Sequence, residues 1–168
     1  MAYYDSYVKN GKYINDTMFT HFDKVFPKKK KKTWGIIGLG AIGRRVADIA
    51  KVFGAKVIYY SASGAPAQEG YNQVDFDTLL STSDIISVHA PLSEYTEGLM
   101  DEAAFSKMKS SAIFLNLGRG PIVDEVALTN ALNNGVIAAA GLDVIGVEPM
   151  GPDCPLLKVQ DKSKLLIT

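Results

Sequence analysis

Residues Gly38-Leu39-Gly40-Ala41-Ile42-Gly43 decide how this chain is read, because of what flanks them. A short apolar run, Trp34-Gly35-Ile36-Ile37, precedes them, and an amphipathic stretch from Ala41 to Phe53 follows and stops at Gly54. A second apolar run, Lys56-Val57-Ile58-Tyr59-Tyr60, comes next. On its own a G-x-G-x-x-G pattern says little. Placed between a strand and a helix, with a second strand inside about thirty residues, it specifies a βαβ unit that cradles a dinucleotide. The chemistry dictates the glycines. Gly38 permits the tight turn, Gly40 lets backbone N–H groups approach a pyrophosphate, and Gly43 lets the helix lie close to the strand. The helix N-terminus, beginning at Ala41 and Ile42, offers free N–H donors and a partial positive charge to the phosphates.

Working outward, apolar runs alternate with helical patterns. Strands are predicted over 34–38, 56–60, 85–88, 112–117 and 137–142, with another beginning at 165. Helices are predicted over 77–81, 102–108 and 124–133, the last with an acidic first turn and an Asn134-Gly135 stop. The β runs are nearly continuous in Ile, Val, Leu and Ala, the signature of parallel strands buried on both faces. The expected architecture is an α/β, doubly wound parallel sheet of the Rossmann type in three α/β/α layers. Its six strands would be ordered 3-2-1-4-5-6, with 85–88 as the third. Residues 1–33 read as an N-terminal helix, arm and linker, and 34–168 as the dinucleotide-binding domain. Tyr3, Tyr4, Val8 and Tyr13 fall in a short helix ending near Gly11, and the five lysines at 28–32 read as a solvated loop.

Composition narrows the function. The 168 residues are 47% apolar, enough for one domain with a substantial core. A formal net charge of zero argues against a nucleic-acid or acidic-membrane partner. A single cysteine, Cys154, precludes an internal disulfide and points to a reducing compartment, by default the cytoplasm. No apolar run reaches the ~20 residues a membrane span needs, and the N-terminus lacks a secretion signal. No metal site is expected.

In a doubly wound sheet, ligands bind outside the carboxyl ends of the strands, near the switch point. The conspicuous polar and glycine residues fall there. The third predicted strand ends in His89-Ala90-Pro91-Leu92 and the fourth in Asn116-Leu117-Gly118-Arg119-Gly120. The fifth ends in Gly141-Leu142-Asp143-Val144, with Glu148-Pro149 shortly after. With the first and fourth predicted strands flanking the switch, Arg119 should point into the crevice.

These segments, in this order behind the 38–43 turn, resemble the D-isomer-specific 2-hydroxyacid dehydrogenases. Tyr4-Asp5-Ser6-Tyr7-Val8-Lys9 and Thr33-Trp34-Gly35-Ile36-Ile37 resemble a subgroup close to D-lactate dehydrogenases. The resemblance covers nearly the whole chain and implies roles. Arg119 would clamp the carboxylate and carbonyl of a 2-keto acid, as suits a planar fork of donors with fixed charge. Glu148 would pair with a catalytic histidine and raise its pKa, and Asp143 would contact the nicotinamide end. His89, Ala90, Pro91 and Thr96, with Asn116, Leu117 and Gly118, would line the cofactor cleft. His89 is expected as a satisfied structural histidine rather than the catalytic base. The resemblance further implies a homodimer, in which the N-terminal helix packs on the partner's cofactor domain.

Two departures from the family pattern follow. The second strand runs into Ser61-Ala62-Ser63-Gly64, with Ser61 where an acid normally binds the ribose hydroxyls and favours NAD. Without that acid and without an arginine, the expected cofactor is NAD, with NADP not excluded. The family's acid/base histidine follows the strand beginning at Leu165, whereas the histidines here are His21 and His89. The chain therefore reads as the cofactor domain of a longer enzyme acting on a small 2-keto or D-2-hydroxy acid, inactive by itself. A non-enzymatic NAD-sensing module of the same fold, like the corepressors that resemble this family, stays open. Turnover of 2-keto acids separates the two.

Overall fold

In the computed structural model, residues 7–15 and 32–168 are described. The chain divides into two compact units, Met1–Lys30 and Lys31–Thr168. In the first, residues 7–9 form one helical turn, Gly11 reverses the chain at φ 71°, and a 3-10 turn follows over Lys12–Asn15. Tyr3, Tyr4 and lysines 28–31 lie outside the described residues.

The second unit is a seven-stranded parallel sheet: β1 (Thr33–Ile37), β2 (Lys56–Tyr60), β3 (Asn72–Gln73), β4 (Ile85–Val88), β5 (Ile113–Asn116), β6 (Ala139–Leu142) and β7 (Leu165–Ile167). Its order is β3-β2-β1-β4-β5-β6-β7. The four helices are α1 (Ala41–Val52), α2 (Phe76–Thr82), α3 (Glu102–Ser106) and α4 (Glu125–Asn133). Successive strand residues face opposite layers. Ile36 and Tyr59 pack with Ala47 of α1 on one side. On the other side Ile37 and Ile58 join Leu79 of α2, Phe105 of α3 and Leu128 of α4 in the main core. Phe105 meets Phe114 of β5 edge-on at 5.4 Å between ring centroids.

The doubly wound expectation holds, but its strand order needs correction. Residues 85–88 are not the outer third strand. They lie beside β1, with Trp34 opposite Ile85 and Ile37 opposite Val88. The outer position belongs to Asn72 and Gln73, at the end of the stretch read as turns, which pair with Ile58 and Tyr59. Gln73 is held there by the Tyr59 hydroxyl, which donates to its Oε1 at 2.9 Å. The switch point therefore lies between β1 and β4, and Arg119 follows the next strand over.

Three helices begin on an aspartate whose carboxylate accepts first-turn N–H groups: Asp75 from Thr78, Asp101 from Ala104, and Asp124 from Val126 and Ala127. Helix α1 differs. It begins on Gly40 without a side-chain cap.

The first strand is fastened at its start. Asp84 accepts from Lys32 Nζ at 2.7 Å and from the Thr33 N–H at 3.0 Å, with Lys109 Nζ 3.7 Å away. Burial pushes the Asp84 carboxyl up, and these bonds and charges outweigh it and hold it below its ordinary value. Lys32, the last of the lysine run, is thus part of the fold rather than of a solvated loop.

Candidate functional site

The carboxyl ends of three adjacent strands are packed backbone to backbone. Gly38, at the end of β1, has φ 90°, and a Cβ there would lie 2.7 Å from the Ala90 nitrogen beyond β4. A Cβ on Gly118, beyond β5, would lie 2.8 Å from the Ala90 oxygen. A Cβ on Gly43 would collide with the Gly38 oxygen, so the first turn of α1 rests directly on the glycine turn. Gly40 is the exception. A Cβ there meets nothing within 4 Å.

A groove runs over this floor, lined by Gly38, Leu39, Gly40, Ser61, Ser63, Gln68, Ala90, Pro91 and Thr96 among others. It thus joins the glycine turn, the end of β2 and the end of β4. Ala41 and Ile42 lie at its mouth in the first turn of α1, both exposed. Their N–H groups precede the first helical bond, Arg44 N–H to Gly40 O at 2.9 Å. An uncapped helix start over an empty glycine cradle fits a dinucleotide pyrophosphate. It is these residues, with Ser61 at the far wall, that would hold one.

Several predicted residues act on the protein rather than on the groove. Thr96 is 2% exposed and donates its hydroxyl proton to the Pro91 oxygen at 2.7 Å while accepting from the Ser93 N–H. It shapes the wall. Asn116 accepts from the Gly118 N–H at 3.1 Å and donates to the Arg119 oxygen at 3.0 Å. Its amide braces the β5 turn and faces inward. Ser61 Oγ accepts from the Ala65 N–H at 3.1 Å.

His89 departs from expectation. Trp34 Nε1 donates to Ser87 Oγ at 2.9 Å, and Ser87 Oγ is 3.0 Å from His89 Nε2. The other ring nitrogen of His89 is Nδ1. That atom is buried and has no partner among the described residues. His89 is therefore not the fully satisfied histidine expected from sequence. Burial pushes its pKa below the ordinary histidine value, which keeps the ring neutral at pH 7.

Arg119 and Glu148 meet in a second depression beside the first, lined also by Gly120, Val144, Ile145 and Gly146. The glycines bring them together. A Cβ on Gly120 would collide with the Ile145 carbonyl, so the loop after β6 lies directly on the loop after β5. Glu148 Oε1 accepts from the Ile145 N–H at 3.0 Å, which pins the carboxylate to its own turn. Arg119 is exposed and folds back, donating from Nη1 to the Gly118 oxygen at 2.8 Å. Asp143 lines a neighbouring hollow with Leu117 and accepts from the Thr168 hydroxyl at 3.2 Å.

The sequence reading missed Arg44 and Gln68. Arg44 Nη1 donates to Gln68 Oε1 at 3.2 Å, and Gln68 Nε2 donates to the Leu39 oxygen at 3.0 Å. Nothing in the local pattern marks this pair, which joins α1 to the loop beyond β2.

Comparison with known proteins agrees with this geometry. Residues 1–167 match the family model described as D-isomer specific 2-hydroxyacid dehydrogenase, NAD binding domain. A hydroxypyruvate reductase from Blautia hydrogenotrophica is 41% identical over 159 residues, covering 94% of this chain and 49% of that protein. A glyoxylate/hydroxypyruvate reductase B from Klebsiella pneumoniae is 50% identical over 132 residues, covering 76% and 41% respectively. The chain thus spans less than half the length of these relatives. Among solved structures, D-lactate dehydrogenase from Aquifex aeolicus complexed with NAD and lactic acid superposes with a TM-score of 0.83 at 29% identity. It is matched over 98% of this chain and 52% of its own.

Proposed function

Because the chain belongs to the D-isomer specific 2-hydroxyacid dehydrogenase NAD-binding domain family, we propose that it is the cofactor-holding part of an enzyme that interconverts a short 2-keto acid and its 2-hydroxy acid. The observation that carries this reading is the pair of adjoining depressions, one over the uncapped start of α1 and one lined by both Arg119 and Glu148. When bound, the nicotinamide cofactor supplies a hydride to C2 of the keto acid. The chain's own residues bind and orient. Gly38, Gly40, Ala41, Ile42 and Gly43 hold the pyrophosphate through backbone groups, and Ala90, Pro91 and Gly118 form the floor and wall. Arg119 releases the Gly118 carbonyl to take the substrate carboxylate through two parallel N–H bonds. Glu148, fixed by the Ile145 N–H, presents its free oxygen to a histidine from the rest of the protein. That histidine gives the new alkoxide its proton. Asp143 faces the nicotinamide end. Within the substrate class, the names of the sequence relatives favour glyoxylate and hydroxypyruvate, and the likeness of the 4–9 and 33–37 motifs to the D-lactate subgroup favours pyruvate. All three are keto acids of two or three carbons. Turnover of these acids by the full-length protein tests the reading, and binding of dinucleotide with no turnover of any of them would favour the sensing module.

The Ser61 wall gives a selectivity prediction. Without a carboxylate at the end of β2, the preference between NADH and NADPH is expected to stay below about a hundredfold, ~2.7 kcal/mol. Ser61→Asp restores an acceptor for the ribose hydroxyls and repels a 2′-phosphate. Titration of both reduced cofactors should show the balance move towards NADH.

The proposal extends to a homodimer. Val8 is 56% exposed, and Tyr13 and Ile14 are 41% and 83% exposed. Such a cluster is costly to leave in water. Sedimentation at micromolar concentration is expected to give a dimer, and deletion of residues 1–13 should shift it towards monomer.

A further inference from the structure

Helix α1 carries Arg44, Asp48 and Lys51 at i, i+4 and i+7, on one face. All three fasten the loop beyond β2. Arg44 donates to Gln68, Asp48 accepts from the Tyr71 hydroxyl at 2.8 Å, and Lys51 Nζ donates to the Gly70 oxygen at 3.0 Å. The Lys51 ammonium also sits 4.1 Å from the Tyr71 ring centroid. Asp48 and Lys51 are thus engaged by Tyr71 and Gly70, which do not line the groove. Arg44 is not. Its partner is a neutral amide, and it forms no ion pair among the described residues. Gln68, which holds it, lines the same groove as Gly40, Ser61 and Ser63.

In dinucleotide folds the adenosine ribose lies at the end of the second strand, and a nearby arginine accommodates a 2′-phosphate. Here that strand end, Ser61 to Gly64, carries two serines and no acid. A phosphate is also a far stronger acceptor for a guanidinium than an amide oxygen is. We propose that Arg44 exchanges Gln68 for the 2′-phosphate of NADPH, with the Ser61 and Ser63 hydroxyls at the same end, so that the chain takes NADPH at least as tightly as NADH. The arginine absent from the strand is supplied by the helix that opens on the pyrophosphate. This rests on the dinucleotide reading above and adds which dinucleotide and by which residue.

The test measures dissociation constants of NADPH and NADH by nicotinamide fluorescence, with 2′,5′-ADP and ADP as competitors, on the unaltered protein and on Arg44→Gln and Arg44→Lys. Arg44→Gln is expected to weaken NADPH and 2′,5′-ADP about tenfold or more, ~1.4 kcal/mol, and NADH and ADP less than about twofold. Arg44→Lys should fall between, because it keeps the charge without the fork. Retained NADH binding reports that each variant is folded. Equal weakening of both cofactors, no change in either, or NADPH binding much weaker than NADH in the unaltered protein would overturn the assignment of Arg44 alone. Binding of neither dinucleotide by the unaltered protein would overturn the proposed function with it.

Discussion

Arg119→Ala, made in the full-length protein, is expected to lower kcat/KM for the keto acid by about a hundredfold to ten-thousandfold while leaving NADH binding within about twofold. Two charge-assisted bonds to a carboxylate, at ~1.5–3 kcal/mol each, set that range. The side chain is exposed, and its hydrogen bond within the fold, to the Gly118 oxygen, is local, so its removal leaves the sheet intact. It also lines a different depression from the glycine cradle, so its proposed role is separable from cofactor binding. Steady-state kinetics beside a direct cofactor titration make the check. A fall in NADH affinity that matches the fall in turnover would move Arg119 from the substrate to the cofactor. Residues 1–168 alone are expected to give no reduction above background. Of their two histidines, His89 is neutral, buried at Nδ1 and engaged at Nε2.

Gly40→Val should abolish dinucleotide binding, with the dissociation constant raised more than about a hundredfold, ~2.7 kcal/mol. Gly40 has φ −77°, which any residue adopts, and a Cβ there meets no protein atom within 4 Å. The protein therefore tolerates the side chain. Valine is a poorer N-cap than glycine, at a cost of roughly 1 kcal/mol, which lowers the melt by only a few degrees. What the valine fills is the space above the N–H groups of Ala41 and Ile42. Calorimetry beside a thermal melt makes the test clean: a melt lowered by no more than a few degrees, with binding lost, places the pyrophosphate at this turn. Binding within tenfold of the original would mean that it lies elsewhere.

The parts legible in the sequence are those written in strong local patterns. The glycine turn, the strands it separates and the amphipathic helix after it were readable because periodicity and backbone demand agree there. The position of Arg119 and Glu148 beyond the strand ends was readable from the order of the motifs there. Strand β3 was not. Asn and Gln have little β propensity, and two such residues become a strand only because Tyr59 and Ile58 present backbone and a phenol to them. Missing that pair displaced 85–88 to the sheet edge and put the switch point beside the wrong loop. Arg44 was illegible for a related reason. On a helix it reads as one more solvated cation, and its partner lies 24 residues away, fixed by tertiary packing alone. Asn116 reads as an offered amide until the turn that consumes both ends of it is seen.

The contact of Gly38 and Gly118 with the two sides of Ala90 has a bearing on how this protein can change. Where three strand ends touch through main chain, a side chain at Gly38 or Gly118 would collide with the Ala90 backbone, so those two positions of the proposed dinucleotide floor are closed to change. The side chains open to variation stand at the margins: Ser61 and Arg44 where the ribose is proposed to lie, Arg119 and Glu148 where the substrate is proposed to lie. An evolving lineage, or a designer, can therefore switch cofactor or substrate at those margins one residue at a time, without passing through a form that has lost its grip on the dinucleotide.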